Sequence, residues 1–158
     1  MGRFVLGDLL DDAILAARPG DDAFPLRLVL GELGNRLEDD AGLVFSAALN
    51  LYFRAPMEDE DRAVVGVEAS RAFYRFCAEA GLEEEVRRQA APLLAKLMGS
   101  QLGRLGFEAV DHTTTFDSKI HEREAAANPA SPRIVVPASF LCRVVANGTI
   151  RTKARVLT

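Results

Sequence analysis

The sequence predicts an α+β protein: a mostly α-helical bundle, residues 1–106, followed by a small C-terminal β-domain, residues 107–158. Two observations carry this prediction. Apolar residues recur every three or four positions before Gly106, whereas later runs are short and rich in Val, Ile, Phe and Thr. The charge changes near the same place. Residues 1–111 hold 12 Lys and Arg against 20 Asp and Glu, a net charge of −8, and residues 112–158 hold 7 against 3, a net charge of +4.

Four to six helices are expected before Gly106. The first predicted helix spans Phe4–Arg18, and Pro19-Gly20 ends it. In the second, Asp21 or Asp22 is the expected cap and Pro25 falls in the first turn. Its apolar positions form one stripe: Leu26, Val29, Leu30, Leu33 and Leu37.

The third predicted helix follows a break at residues 39–42 and ends at Pro56. Apolar residues nearly encircle it between residues 43 and 53. The positions that continue the helical pattern are Leu43, Val44, Ala47, Ala48, Leu51 and Tyr52.

Two more helical segments complete the predicted bundle. The acidic run from Glu58 to Asp61 marks the start of one, because carboxylates at a helix N-terminus favour the helix dipole, and Gly81 closes it. The other runs from Leu82 to Leu105, and Pro92 is expected to kink or restart it. The inward positions expected are Val64, Val65, Ala69, Phe73, Phe76 and Cys77, then Val86, Leu93, Leu94, Leu97, Met98, Leu102 and Leu105.

The tail carries strand-like runs, namely FEAV, RIVV, SFLCRVVA and TIRTKARVL. Asn147-Gly148 separates the last two, and this pair predicts a hairpin with a two-residue turn because both positions tolerate positive φ. In the final strand Arg151, Lys153 and Arg155 alternate with smaller or apolar residues. The alternation predicts three cations on one face of that strand.

Composition excludes several classes of protein. The longest strongly apolar uncharged run, Ala41 to Phe53, is shorter than the roughly 20 residues of a membrane span, and the N-terminus lacks a signal-peptide pattern, so we expect a cytoplasmic protein. Cys77 and Cys142 are expected to be small buried side chains. The net charge of −4 argues against a general nucleic-acid binder.

Residues that could carry chemistry cluster just after residue 111. They are His112, Asp117, His121 and Glu122, with Cys142 further along. Their spacing matches no metal-ligand or acid–base motif, and the favoured interpretation is turn and cap residues. The chain also lacks a phosphate-binding glycine loop and a serine elbow. We therefore predict no enzyme, no metal site and no cofactor.

The segment SQLGRLGFEAVDHTTTFDSKIHE, together with the later NGTIRTKARV, resembles the C-terminal half of the GrpE-type nucleotide exchange factors of DnaK chaperones. That half has a helix, a short glycine connection, an FDPNxHE-like phrase and a compact β-domain. Ser118 and Lys119 replace the family's Pro-Asn, and prolines in the helical part exclude its uninterrupted helical rod. The matching positions are Gly106, Phe107, Phe116, Asp117, His121, Glu122, Asn147, Gly148, Ile150, Arg151, Ala154 and Val156.

The resemblance implies a co-chaperone and no covalent chemistry. It implies a homodimer formed through helices, whose β-domain binds the nucleotide-binding domain of a DnaK-type chaperone and promotes release of ADP. The docking residues expected from this comparison are three cations that steer toward an acidic partner and an apolar pair that anchors it. They are Arg151, Lys153, Arg155, Phe140 and Leu141.

Two other functions fit the same residues. A dimeric helical scaffold or adaptor, binding another protein through the β tail, is favoured by the missing rod and by the apolar residues that encircle residues 43–53. A nucleic-acid-binding protein would contact phosphates through the basic tail, although the acidic bundle predicts weak binding.

Overall fold

A computed structural model describes residues 16–110 and 115–158. Most of the predicted helix Phe4–Arg18 therefore lies outside the described residues. Within the described parts of the chain, four helices precede six short strands, which confirms the α+β prediction.

The helices are α1 (Phe24–Asn35), α2 (Asp40–Arg54), α3 (Asp59–Glu79) and α4 (Glu84–Gly99). The strands are β1 (Leu105–Glu108), β2 (His121–Arg123), β3 (Val136–Pro137), β4 (Leu141–Val144), β5 (Ile150–Thr152) and β6 (Ala154–Leu157). None of the described helices is long and apolar enough to cross a membrane.

Helix α1 buries the predicted apolar stripe, but its N-cap residue is not the predicted one. Pro25 lies in its first turn, where the missing N–H costs nothing, and four of the five predicted apolar positions are buried. Ala23 occupies the N-cap position, so the Asp21 or Asp22 cap was wrong. The Asp21 carboxylate instead accepts a hydrogen bond from the backbone N–H of Arg18 at 2.8 Å.

Helix α2 buries a different face from the one expected. Phe45 is fully buried and its ring lies 5.9 Å from that of Phe73 and 5.6 Å from that of Phe76. Leu43 and Leu51, predicted to continue the packed pattern, are 57% and 49% exposed. The helix is apolar on both faces, so its period could not choose between them, and the aromatic side chains of α3 select the Phe45 face.

Helices α3 and α4 pack most of the predicted residues inward. The acidic run starts α3 as expected, but Val64 is 64% exposed rather than buried. Helix α4 continues through Pro92 without restarting and ends at Gly99, earlier than the predicted Leu105. Leu105 is buried as the first residue of β1, because the chain turns back there as a strand.

The six strands form two three-stranded sheets. One has the order β1-β4-β5 and is antiparallel. The other has the order β2-β6-β3, with β2 parallel and β3 antiparallel to the central β6. The predicted single final strand was wrong, since it is interrupted at Lys153 and its halves, β5 and β6, belong to different sheets.

The predicted hairpin between β4 and β5 is confirmed, although its turn differs. Residues 145–149 connect the strands, and Gly148 has a φ of +72° whereas no described non-glycine residue has a positive φ. The Asn147 side chain accepts a hydrogen bond from the N–H of Thr149 at 2.9 Å. A two-residue turn with positive φ at both positions is therefore excluded here, and the side chain of Asn147 shapes a longer one.

The tail shares the core of the helices. Phe140, just before β4, is fully buried, and its ring lies 6.0 Å from that of Phe73, 5.8 Å from that of Tyr74 and 6.5 Å from that of Phe107. Aromatic contacts at these distances bury large apolar areas. These contacts hold the first sheet against α3, and its strand β1 also packs against α4.

Candidate functional site

The apolar pair expected to anchor a partner lies inside the protein. Phe140 and Leu141 are both fully buried, Phe140 against the helices and Leu141 in a smaller cluster with Val110 and Ala154. Neither side chain is at the surface. In this structure they act as core residues.

Arg151 lies on the edge strand β5 and reaches the start of α3. Its guanidinium pairs with the carboxylate of Glu60, and Arg104 pairs with the same carboxylate at 3.4 Å. The Arg151 and Glu60 side chains are 47% and 46% exposed. These are surface ion pairs, which contribute little to stability and leave both arginines accessible.

Arg155 points to the other sheet. Its guanidinium lies 3.1 Å from Glu122 and 3.4 Å from Glu124. Glu124 also pairs with Arg71 of α3 at 2.8 Å, so this cluster connects β6 to the helices. Burial alone would lower the pKa of Arg155, but its bonds to the two glutamates raise that pKa above its usual value.

Lys153 lies between the two sheets and is exposed. Its Nζ donates a hydrogen bond to the backbone carbonyl of Ser118 at 2.7 Å. The three cations of the predicted row therefore contact three different parts of the chain. The expectation that one strand face presents them together was wrong because β5 and β6 belong to different sheets.

The two segments that carry the family resemblance meet in the second sheet. Strand β2, the end of the FDSKIHE phrase, pairs with β6, the end of NGTIRTKARV. The register places His121 opposite Ala154 and Arg123 opposite Val156. Residues more than 30 positions apart in the chain thus form one β-unit.

A tight turn at Asp117 shapes the FDSKIHE phrase. The Asp117 carboxylate accepts a hydrogen bond from the N–H of Lys119 at 2.9 Å, and its backbone N–H donates to Nδ1 of His121 at 2.9 Å. The Phe116 ring lies 5.8 Å from the His121 ring and stacks under Arg123, 3.7 Å from its guanidinium carbon. The interpretation as a turn residue is confirmed for Asp117, whereas His121 is the first residue of β2 and only its ring contacts the turn.

His121 is only 1% exposed, and burial lowers its pKa against the opposing effect of the Asp117 carboxylate. Because Nδ1 accepts a hydrogen bond, the neutral ring carries its proton on Nε2. His121 is therefore a neutral structural residue at neutral pH.

The other residues considered for chemistry are dispersed. Cys142 lies in the first sheet, where burial raises the pKa of its thiol, and His112 lies outside the described residues. Cys77 and Cys142 are both buried, as predicted, and no disulfide joins them. Within residues 16–110 and 115–158, no three potential metal ligands come together.

A groove of about 640 Å³ runs between the helices and the second sheet. Its floor is apolar and its edge carries paired charges, including Arg71 and Glu124. Sequence reasoning missed this groove because its walls come from distant segments. The apolar residues that line it are Val44, Ala72, Tyr74, Ala78, Ala125, Ala126, Val136, Pro137, Ala138 and Leu157.

Two exposed valines on the tail were also missed. Val145, at the start of the β4–β5 turn, is 67% exposed, and Val135, beside β3, is 68% exposed. The available signal for Val145 was its position next to the Asn147-Gly148 turn, since turn residues usually lie at the surface.

No family model, curated protein or solved structure matches this chain.

Proposed function

We propose that this chain is a GrpE-like co-chaperone that binds the nucleotide-binding domain of a DnaK-type chaperone and promotes release of ADP. The observation that supports the proposal is the pairing of β2 with β6, which joins the two resembling segments in one sheet. A chance likeness in two short segments would not require them to be neighbours.

Exchange of this kind is a shift in the partner's conformational population. A factor that binds the open nucleotide cleft more tightly than the closed one raises the population of the open state and so speeds release. Such a factor needs a rigid contact surface rather than catalytic groups. The tail has this character, because Phe140 ties it to the helical core.

The contact surface that we propose differs in part from the sequence-based set. Arg151 and Lys153 stay in it because they are exposed cations near the junction of the two sheets. Val145, exposed on the same hairpin as Arg151, replaces the buried Phe140 and Leu141 as the apolar contact. Arg155 is held by two glutamates and has a mainly structural part.

Release of a fluorescent ADP analogue from a bacterial DnaK, followed by stopped flow, tests the proposal. We expect the release rate to rise with added protein and to saturate. Lys153→Glu should weaken the apparent affinity about tenfold, because it reverses a steering charge. Lys96→Glu, which alters an exposed lysine on α4, is the matched control and should leave the rate unchanged. Unaccelerated release at saturating protein would rule the function out.

The apolar groove favours a second candidate, an adaptor that binds an extended segment of another protein. Apolar floors with polar edges are common at peptide-binding sites. Affinity capture from cell extract by the intact chain, with Ala78→Arg as a groove-blocking variant, separates the two functions. If the protein is an exchange factor, both the parent chain and the Ala78→Arg variant should capture the chaperone. An adaptor should capture another protein, and the arginine in the groove should abolish that capture.

A further inference from the structure

We infer that the exposed face of α2 is a self-complementary interface at which two copies of this chain pair about a twofold axis. The inference concerns assembly and does not depend on the exchange function. It rests on five of the six exposed residues of α2, because the sixth, Val44, lines the groove beside the second sheet. The five are Asp40, Leu43, Ala47, Leu51 and Arg54.

These five residues form one narrow stripe. At 100° per residue they fall within an arc of about 80°, opposite the buried stripe that contains Phe45 and Leu49. Every one of the five is exposed, and the two leucines are 57% and 49% exposed. No residue that the structure describes covers Leu43 or Leu51.

An apolar outer face is unusual for a helix at a protein surface. No charged residue occurs between Ala41 and Phe53, so α2 is apolar on both its inner and its outer side. Helices of this composition are normally buried on all sides. The outer side of α2 is therefore expected to be covered in the assembled protein.

The order of the stripe identifies a second copy as the cover. The residues are symmetric about Ala47: Leu43 and Leu51 lie four positions to either side, and Asp40 and Arg54 lie seven. When two α2 helices pack antiparallel about a twofold axis through Ala47, each Leu43 meets Leu51 of the other copy. Each Asp40 then faces the opposite copy's Arg54.

Size and charge both suit such a pair. Alanine at the crossing point allows helix axes to approach to about 8 Å, with the leucines packing to either side. Asp40 already pairs with Arg75 of its own chain, so the other copy's Arg54 would join an existing ion pair. A twofold axis uses the same surface on both copies, which closes the assembly at two.

The interface is small. A helix of 15 residues is about 22 Å long and offers less than the roughly 800 Å² per partner of a standard interface. We therefore expect a dissociation constant of about micromolar order. Sedimentation velocity across a range of about 1 to 200 μM should show a monomer–dimer equilibrium.

Substitutions then locate the interface. Leu51→Lys should weaken the dimer about a hundredfold, because each dimer loses two buried leucines and places a charged lysine against each Leu43. Val135→Lys, at a similarly exposed valine of the tail, should leave it unchanged. Arg54→Asp should weaken the dimer several-fold, and adding Asp40→Arg should restore it, because the exchanged charges face each other again.

Cross-linking tests the twofold axis. In the Ala47→Cys variant, a short bis-maleimide should cross-link residue 47 of one copy to residue 47 of the other. Ala130→Cys, in an exposed loop, is the control and should not be cross-linked. The two native cysteines are buried and should not react. A monomer at every concentration, with uncross-linked Ala47→Cys, would overturn the inference. If that monomer is also destabilised by Leu51→Lys, a segment of the same chain covers the face. If its stability is unchanged, another protein covers it. Either outcome rejects the self-pairing.

Discussion

The hydroxyl of Ser70 on α3 accepts a hydrogen bond from the backbone N–H of Phe140 at 2.9 Å and donates one to the carbonyl of Val67 at 2.6 Å. Both residues are fully buried. One side chain thus satisfies a backbone group of the tail from inside the helical core. This contact, 70 residues apart in sequence, fixes where the chain enters β4.

Ser70→Ala should lower the free energy of unfolding by about 1–3 kcal/mol, because the buried N–H of Phe140 would lose its acceptor. Ser100→Ala is the control, since exposed Ser100 makes the same kind of bond to the carbonyl of Leu97. It should change stability by less than about 0.5 kcal/mol. Urea unfolding of the two variants measures the difference, and equal effects would contradict this account of Ser70.

Phe140→Ala should destabilise the protein by about 3–5 kcal/mol, because it removes a ring packed against Phe73, Tyr74 and Phe107. Val145→Ala, at an exposed position of the same tail, should cost less than about 0.5 kcal/mol. Thermal and urea unfolding both report the change. If the Phe140→Ala variant has unaltered stability, Phe140 is not a core residue and could again be considered a surface contact for a partner.

Gly42→Ala should destabilise the start of α2 by about 1–3 kcal/mol. A methyl group there would collide with the backbone carbonyl of Arg36, which is held by the N–H of Asp39 at 3.1 Å and cannot easily move. Gly31→Ala in α1 is the matched control, because its methyl would meet open space. It should stabilise the protein by about 0.5–1 kcal/mol through helix propensity. The two substitutions should therefore shift the unfolding midpoint in opposite directions.

His121 should make stability fall in mildly acidic solution. Burial lowers its pKa from the ordinary 6.5, so the unfolded chain takes up a proton before the folded chain does. Its contribution is fully present above pH 6.5 and is lost as the pH falls toward the lower pKa of the folded state. Protonation would also oppose the hydrogen bond from Asp117 N–H to Nδ1.

Urea unfolding at several pH values between about 7.5 and 5.5 measures this effect. The free energy of unfolding should decrease with pH in the parent chain, and His121→Gln should flatten that dependence. Ala130→Gln, at an exposed loop position, is the control and should preserve the slope. An identical slope in the His121→Gln variant would show that other groups cause it.

Local signals in the sequence predicted the helical part well where proline, glycine or acidic residues mark a boundary. Pro25 lies in the first turn of α1, and the acidic run starts α3. The hairpin around Asn147-Gly148 was also predictable, because turn chemistry acts over a few residues. These features depend on near neighbours in the chain.

Other features depend on residues that are distant in sequence. Apolar spacing placed α2 but could not select its buried face, because the choice depends on the rings of Phe73 and Phe76. Strand propensity detected the last segment but not its interruption at Lys153. That interruption follows from the pairing of β5 with β4 and of β6 with β2 and β3.

Helix periodicity, breaker residues and β-branching are local properties, and they are sufficient to predict the α+β class, the helical character up to Gly99 and the strand-forming tail. The burial of Phe140, the pairing of Arg151 with Glu60 and the outward orientation of Leu43 and Leu51 depend instead on the packing of distant segments. Burial and ion pairing are set by which segments meet, and a position's own neighbours in the chain do not contain that information.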